Sequence, residues 1–248
     1  MRRGSIPCGQ NPSGSVFMSG PKEIPPEGVS RGATLTEQVY VQLRNGLLRG
    51  DWKPGDKISA RSLSRSLGVS LTPSREAIAY LANEGAIHVS DTRMYSIPEL
   101  DWQQYEEITR IRIQLEPMAT QMAVEAAASD FVEQLEQINE DLKQRIKAED
   151  FDAGLRLDSD FHLTIYDAAG SAVLRRLIDT LWLQIGPTRT RLSHEYRRRL
   201  VGYENHRAVI AAFKKNDASA AAEAMRRDLR QGADAIITVL KNTPPQSD

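Results

Sequence analysis

Between Ile58 and Gly85 the chain reads ISARSLSRSLGVSLTPSREAIAYLANEG, and no other stretch restricts the fold as tightly. Leu63 and Leu67 stand one turn apart on the segment from Ala60 to Leu67, which predicts a short helix with a single apolar face. Gly68 follows, where a helix ends readily in a left-handed residue. Val69 is placed to fill the angle between two helices. Thr72 offers an N-cap hydroxyl, and Pro73 suits the first helical position, where its missing N–H costs nothing. Ala77, Ile78 and Leu81 form the buried stripe of the second helix, which Gly85 ends. Such a pair is a helix-turn-helix, whose second helix would turn Ser70, Leu71, Ser74 and Arg75 toward base edges and phosphates in a major groove. A plain helical hairpin with a solvated arginine fits the same pattern, so the flanks decide.

Upstream, Leu35 to Leu48 is amphipathic, with Val39, Leu43 and Leu47 on one face and Thr34 or Thr36 as N-cap. The turn-dense connector GDWKPG (residues 50–55) cannot be helical, because Pro54 forces Lys53 toward extended geometry. Downstream, Ala86 to Ile97 alternates like a short hairpin with Asp91 and Thr92 near its turn. Three helices and a two-stranded ribbon in this order make a winged helix-turn-helix over residues 34–98. From Pro98 onward the pattern is helical throughout. Asp101 to Ala128 carries Ile108, Ile111, Leu115, Met118 and Met122, and Ser129-Asp130 caps the next helix. Helices are then expected over Asp150–Ala169, Ala172–Ile185, a basic stretch Thr188–Leu200, Asn205–Lys215 and Ala218–Leu240. About seven helices with short connections form a bundle, so the fold is mainly α: a winged half, then an all-α half over residues 99–242. Residues 1–33, rich in Gly, Pro and Ser, read as a disordered arm, and 243–248 as a frayed tail.

The 248 residues carry 32 basic and 33 acidic side chains, so nucleic acid would have to be met by a local patch. The single cysteine, Cys8, leaves no internal disulfide, and no apolar run spans a bilayer. A cytoplasmic protein without a membrane partner is the expectation.

The two halves together resemble the GntR family of bacterial transcription regulators, in its FadR-like branch with an FCD-type effector domain. The motifs are LRNGLLRGDWKPGDKIS and LSRSLGVSLTPSREAIAYLANEGAI in the first half, then RIQLEPMA, DSDFH and NHRAVIAAF in the second. The resemblance implies that Arg61, Ser70, Thr72 and Arg75 meet operator DNA. Leu71 stands where the family usually has arginine, which removes a charged contact and allows one to a thymine methyl. The family's Gly-bearing wing tip is replaced by Asp91-Thr92-Arg93, with Arg93 as the wing contact.

Asp158 and His162, four residues apart, project from one helix face. Alone, such a pair is more often a solvated or hydrogen-bonded couple than a ligand pair. The resemblance implies a divalent metal held by one Asp and three His; Asp158, His162 and His206 fall on three of those positions and Asp228 on the fourth. Two carboxylates and two imidazoles suit Zn, Ni or Mn; the alternative is a metal-free polar pocket. Arg112 is implied to pair with an anionic effector, although Glu116 four residues on offers a structural ion pair instead. Arg197-Arg198-Arg199 reads as a solvated face, and His194 has no assigned role. The expectation is a homodimeric regulator, a repressor in the family's usual case, whose affinity for double-stranded operator DNA responds to a small organic acid, such as a sugar acid or a short carboxylic metabolite. Two alternatives stand: a metal-dependent enzyme acting on a small carboxylic acid, and a DNA-binding architectural protein with an inert helical half.

Overall fold

The computed structural model describes residues 33–92, 94–128 and 130–243. The expected N-terminal arm with Cys8, the wing residue Arg93, the capping Ser129 and the end of the tail lie outside them. Helix α1 (Leu35–Leu48) starts at a capping box. Thr34 accepts from the Glu37 N–H, and the Glu37 carboxylate accepts from the Thr34 N–H at 2.7 Å. Val39, Leu43, Leu47 and Leu48 are buried. Strand β1 (Lys57–Ile58) leads into α2 (Ala60–Leu67), capped by the Ser59 hydroxyl and closed by Gly68 at φ 65°. Helix α3 spans Leu71–Asn83. Strands β2 (His88–Val89) and β3 (Tyr95–Ser96) complete an antiparallel sheet in the order β1–β3–β2.

Two expectations change here. Helix α3 begins at Leu71 with Ser70 as N-cap, two residues before the expected start, so Pro73 sits inside the first turn. The first N–H groups of any helix lack intrahelical acceptors, so proline fits anywhere in that turn, and its position does not fix the boundary. Ser74, expected on the outward face, is buried as a result, with its hydroxyl against the Ser70 carbonyl. The wing is three-stranded because Lys57-Ile58 pairs with β3, Lys57 opposite Ser96 and Ile58 opposite Tyr95.

The second half comprises α4 (Trp102–Ala126), α5 (Phe131–Lys147), α6 (Phe151–Ala168), α7 (Ala172–Ile185), α8 (His194–Arg198), α9 (Val201–Lys214) and α10 (Ala218–Asn242). Helix α10 packs along α4 and α9, and α5 along α6 and α9. The expected basic helix over Thr188–Leu200 is instead a 3-10 turn at Pro187–Arg191 followed by the short α8. Leu192 and Ser193 are extended, and Leu200 adopts φ 55° before α9 begins, four residues ahead of the expected Asn205. The long helix α4 also turns differently from the expected stripe. Ile111 and Met118 are about half exposed, at 45% and 50%, while Arg112 and Glu116 face inward. That inversion makes the interior of the bundle polar at one place.

The two halves touch along the end of α1. Leu47 lies against Gly186, where a side chain would collide with the Leu47 and Trp182 carbonyls. Arg44 pairs with Asp179 on α7, Arg49 with Asp160 on α6 at 2.9 Å, and Arg156 with Asp51 at 2.9 Å. Buried side chains from both halves belong to one continuous cluster. Among the described residues, no helix is long and apolar enough to cross a membrane.

Candidate metal centre and nucleic-acid interface

The inward side of α6 repeats every turn as Leu155, Asp158 or Ser159, His162 and Tyr166, which lines one face of the bundle with polar groups. Helix α9 brings His206 to that face and α10 brings Asp228. One ligand atom each from Asp158, His162 and His206 lie within 4.8 Å of one another. Asp228 reaches both histidines, with Oδ2 3.2 Å from His162 Nε2 and 4.0 Å from His206 Nε2. The other carboxylate, Asp158 Oδ1, is 3.6 Å from His206 Nε2. All four expected residues therefore converge.

Hydrogen bonds behind the cluster fix how the imidazoles face it. The Asn139 amide donates to the Tyr203 carbonyl at 3.2 Å, so its oxygen faces His206 Nδ1 at 3.1 Å and selects the Nδ1–H tautomer. His206 Nε2 then carries a bare lone pair, buried and without a hydrogen-bond partner among the described residues. Burial lowers the His206 pKa to about 4, against the pull of Asp228 and Asp158, so the ring is neutral near pH 7. His162 is held likewise. Its Nδ1 lies 3.0 Å from the Tyr166 hydroxyl, which itself donates to Glu116 Oε2 at 2.5 Å. Burial and the Glu116 charge push the Tyr166 pKa well above its ordinary value, so the phenol keeps its proton and His162 must donate from Nδ1. Its Nε2 is left to face Asp228 Oδ2 at 3.2 Å, where a protonated ring donates to the carboxylate and a neutral ring turns its lone pair toward a shared cation. Burial acts to raise the Asp228 pKa, but the His162 hydrogen bond and the nearby imidazoles outweigh it and hold it at about 2. An ionised carboxylate such as Asp228 and a neutral imidazole such as His206 are the forms in which these groups bind metal.

Glu116, which its spacing offers as an ion-pair partner of Arg112, completes the site together with Trp182 and Arg189, which carry no signal of their own in the sequence. Glu116, fully buried, accepts from Arg112 Nε at 2.5 Å, from Arg112 Nη2 at 3.1 Å and from Trp182 Nε1 at 3.0 Å. Arg112 thus spends two of its donor nitrogens on Glu116, and its guanidinium lies 4.9 Å from the Trp182 ring centre. Burial opposes the Arg112 charge, and Glu116 restores it and raises its pKa. Arg189, from the 3-10 turn, donates to Asp158 and, at 2.8 Å, to the Ser159 hydroxyl. The run Arg197–Arg199 is not a uniform solvated face. Arg197 donates to the Leu192, Phe151 and Arg189 carbonyls, because the break after the 3-10 turn folds it inward, while Arg198 and Arg199 are exposed. His194 stacks on Phe151 with ring centres 4.3 Å apart. Beside these polar groups lies a cavity of about 100 Å³, several times the ~10–15 Å³ that one water needs. Arg112, Asp158, His162, Arg189, Arg197 and Asp228 all contribute to its wall.

At the other end of the molecule, Arg61, Leu71 and Arg75 line one concave surface together with Lys57, Met94 and Tyr95. Lys57 enters it through the third strand, which the alternation pattern did not reveal. Ser70 and Thr72 are exposed beside it at the start of α3. The guanidinium groups of Arg61 and Arg75 have no side-chain partner among the described residues.

A winged helix carrying exposed cations, joined to an all-α bundle with an internal polar cavity, defines a DNA-binding regulator. Comparison with known proteins agrees. Residues 35–93 match the model of bacterial regulatory proteins of the gntR family, and residues 107–231 match the FCD domain. The chain is 32% identical to the HTH-type transcriptional regulator McbR of Escherichia coli K12 over 199 residues, covering 78% of this chain and 89% of that protein. It is 26% identical to the gluconate operon transcriptional repressor of Bacillus subtilis, covering 86% and 88% of the two chains. The solved structure of E. coli McbR/YncC superposes with a TM-score of 0.75 at 29% identity, covering 85% of this chain and 98% of that one. The chain belongs to the gntR family of bacterial transcriptional regulators and carries an FCD domain. These families and relatives are regulators, not enzymes.

Proposed function

We propose that this regulator binds a two-fold operator as a homodimer, and that a small organic acid bound in the helical half alters its hold on DNA. The winged half (residues 34–98) would read the duplex through Arg61, Ser70, Leu71, Thr72, Arg75 and Arg93, with Lys57 added by the sheet. Two half-sites call for two copies, and the exposed Ile111 and Met118 on α4 with Val173 and Leu177 on α7 give a second copy an apolar face to cover. In the helical half (residues 99–242) Asp158, His162, His206 and Asp228 would hold a divalent metal ion, Zn, Ni or Mn. Such an ion supplies a fixed positive charge that receives a carboxylate. Arg112 and Arg189, engaged by Glu116 and by Asp158 and Ser159, border the same chamber and add positive charge beside the incoming carboxylate. The printed name of the Bacillus subtilis relative supports repression as the sense of control.

One observation carries the reading: both imidazoles are held from behind so that their Nε2 atoms face two carboxylates. The ligand alters DNA affinity only by favouring one of two arrangements of the winged half, since equal binding to both shifts nothing. The seam of Arg44, Arg49 and Gly186 against α6 and α7 is where such a preference would be transmitted.

The test begins with metal analysis of the purified chain, expected to show one divalent ion per protomer, and of Asp158→Ala, expected to lose it. A duplex selected from a random pool is then titrated with protein, with and without acid. Release of the duplex by acid only in the metal-loaded protein is the expected result. Stoichiometric metal in Asp158→Ala, or a pool that yields no preferred sequence, would overturn the corresponding half of the reading.

A further inference from the structure

We infer that the acid this cavity takes has an apolar body, an aliphatic or aryl-aliphatic carboxylate rather than a polyhydroxylated one. The inference rests on the acid-binding reading above and narrows its ligand class. It follows from how polar and apolar groups are distributed along the helices that form the wall. Asp158, His162, Asp228 and Arg189 gather at one place, and Tyr196 stands close enough to Asp228 and Asp158 to feel both charges. From there the wall turns apolar in two directions. Along α6 it steps back from Asp158 to Leu155 and Gly154, against Leu142 and Ile146 of α5. Along α10 it runs from Asp228 through Leu229, Gly232 and Ala233 to Ile236. At about 1.5 Å per residue, Ile236 lies roughly 12 Å beyond Asp228 along α10, and Leu155 about 4–5 Å before Asp158 along α6.

At the α5 end of the wall, the hydroxyl of Tyr203 and the guanidinium of Arg197 are already committed. Tyr203 is engaged by Lys143 at 3.3 Å and by Glu140 at 3.4 Å, and Arg197 spends its donors on three backbone carbonyls. A sugar acid entering this end would leave its hydroxyls without partners, whereas a hydrocarbon chain would leave none. A buried methylene gains roughly fourfold in affinity, from ~0.8 kcal/mol of transfer free energy.

Gly232 gives a direct handle. It lines the cavity from within α10, and a Cβ built there meets nothing within 4 Å. A side chain at this position therefore starts in open space beside the cavity and can take up volume at its apolar end.

The experiment uses the full chain saturated with zinc, titrated calorimetrically with straight-chain monocarboxylates from acetate to octanoate and with gluconate as the polyhydroxylated match for hexanoate. Affinity is expected to climb roughly fourfold per methylene until the cavity is full, with hexanoate at least tenfold tighter than gluconate. Gly232→Leu should lower the ratio of hexanoate to acetate affinity tenfold or more. Gluconate binding as tightly as hexanoate, or a Gly232→Leu protein that still discriminates chain length, would overturn the inference and leave the acid-binding reading intact. If neither acid binds the zinc-saturated chain, the acid-binding reading fails and this inference with it.

Discussion

The groove of the winged half keeps its cations in water, whereas the chamber of the helical half keeps its charges out of it. Lys57, Arg61 and Arg75 are exposed on a surface they share with Leu71, Met94 and Tyr95. Arg112, Glu116, His162 and His206 are buried, and each of these side chains is held by another. The difference fits what the proposed function asks of each region. A phosphate backbone arrives with its own charge and releases counterions, so the protein offers unpaired cations on flexible stems. A small ligand in a dry chamber must find its partners already oriented, because a buried charge without a partner costs several kcal/mol. Charges in the groove should therefore matter for binding and little for folding, and those around the chamber for both.

The largest effect should come from Glu116. Glu116→Ala strands Arg112 as an uncompensated buried charge and takes an acceptor from both Tyr166 and Trp182. A loss of about 3–5 kcal/mol in urea unfolding is expected, the range for one partner of a buried pair removed. A loss under ~1 kcal/mol would mean that water reaches Arg112, and the contrast between the two regions would fail.

Arg75 tests the other side. Arg75→Ala should weaken binding to a selected duplex by about 1–3 kcal/mol at fixed salt, while unfolding stays within ~0.5 kcal/mol of the parent, as for surface substitutions clear of special features. If stability fell as far as operator affinity, the groove would be part of the scaffold and not a surface held ready.

The same contrast decides what the sequence reveals. Helix α2, Gly68 and the stripe Ala77, Ile78, Leu81 were legible because each local signal agrees with its neighbours. The start of α3 was misplaced because proline is tolerated throughout a first turn, and β1 was missed because two residues are too few to show alternation. In the bundle, the Asp158–His162 spacing is visible to helix geometry, but His206 and Asp228 come from distant helices and were found only through the family resemblance. Arg189 and Asn139 carry no signal at all, since their roles exist only once α5, α6, α9 and the 3-10 turn have packed. The arginine run was misread for a related reason. Composition treats its three members alike, and only the backbone break at Leu192–Ser193 sends Arg197 inward and leaves Arg198 outside.

The smallest and most discriminating change lies at Leu71, the first residue of α3, flanked in the groove by Arg61 and Arg75. An arginine there adds a cation to a surface that already holds three. If the groove works as an electrostatic cradle, Leu71→Arg should tighten binding to every duplex and steepen the fall of log K with log salt by about 0.9, the value for one added phosphate contact. The same substitution removes an apolar contact that can recognise a thymine methyl, so one base pair of the selected site should lose part of its preference. Both effects are read from a single set of binding isotherms at several salt concentrations on the selected duplex and on its single-base variants. A steeper slope with unchanged base preference would make Leu71 a spacer between cations. A changed preference with no change in slope would make it a reading residue, and would show that even this groove holds one position whose contribution comes from keeping charge away.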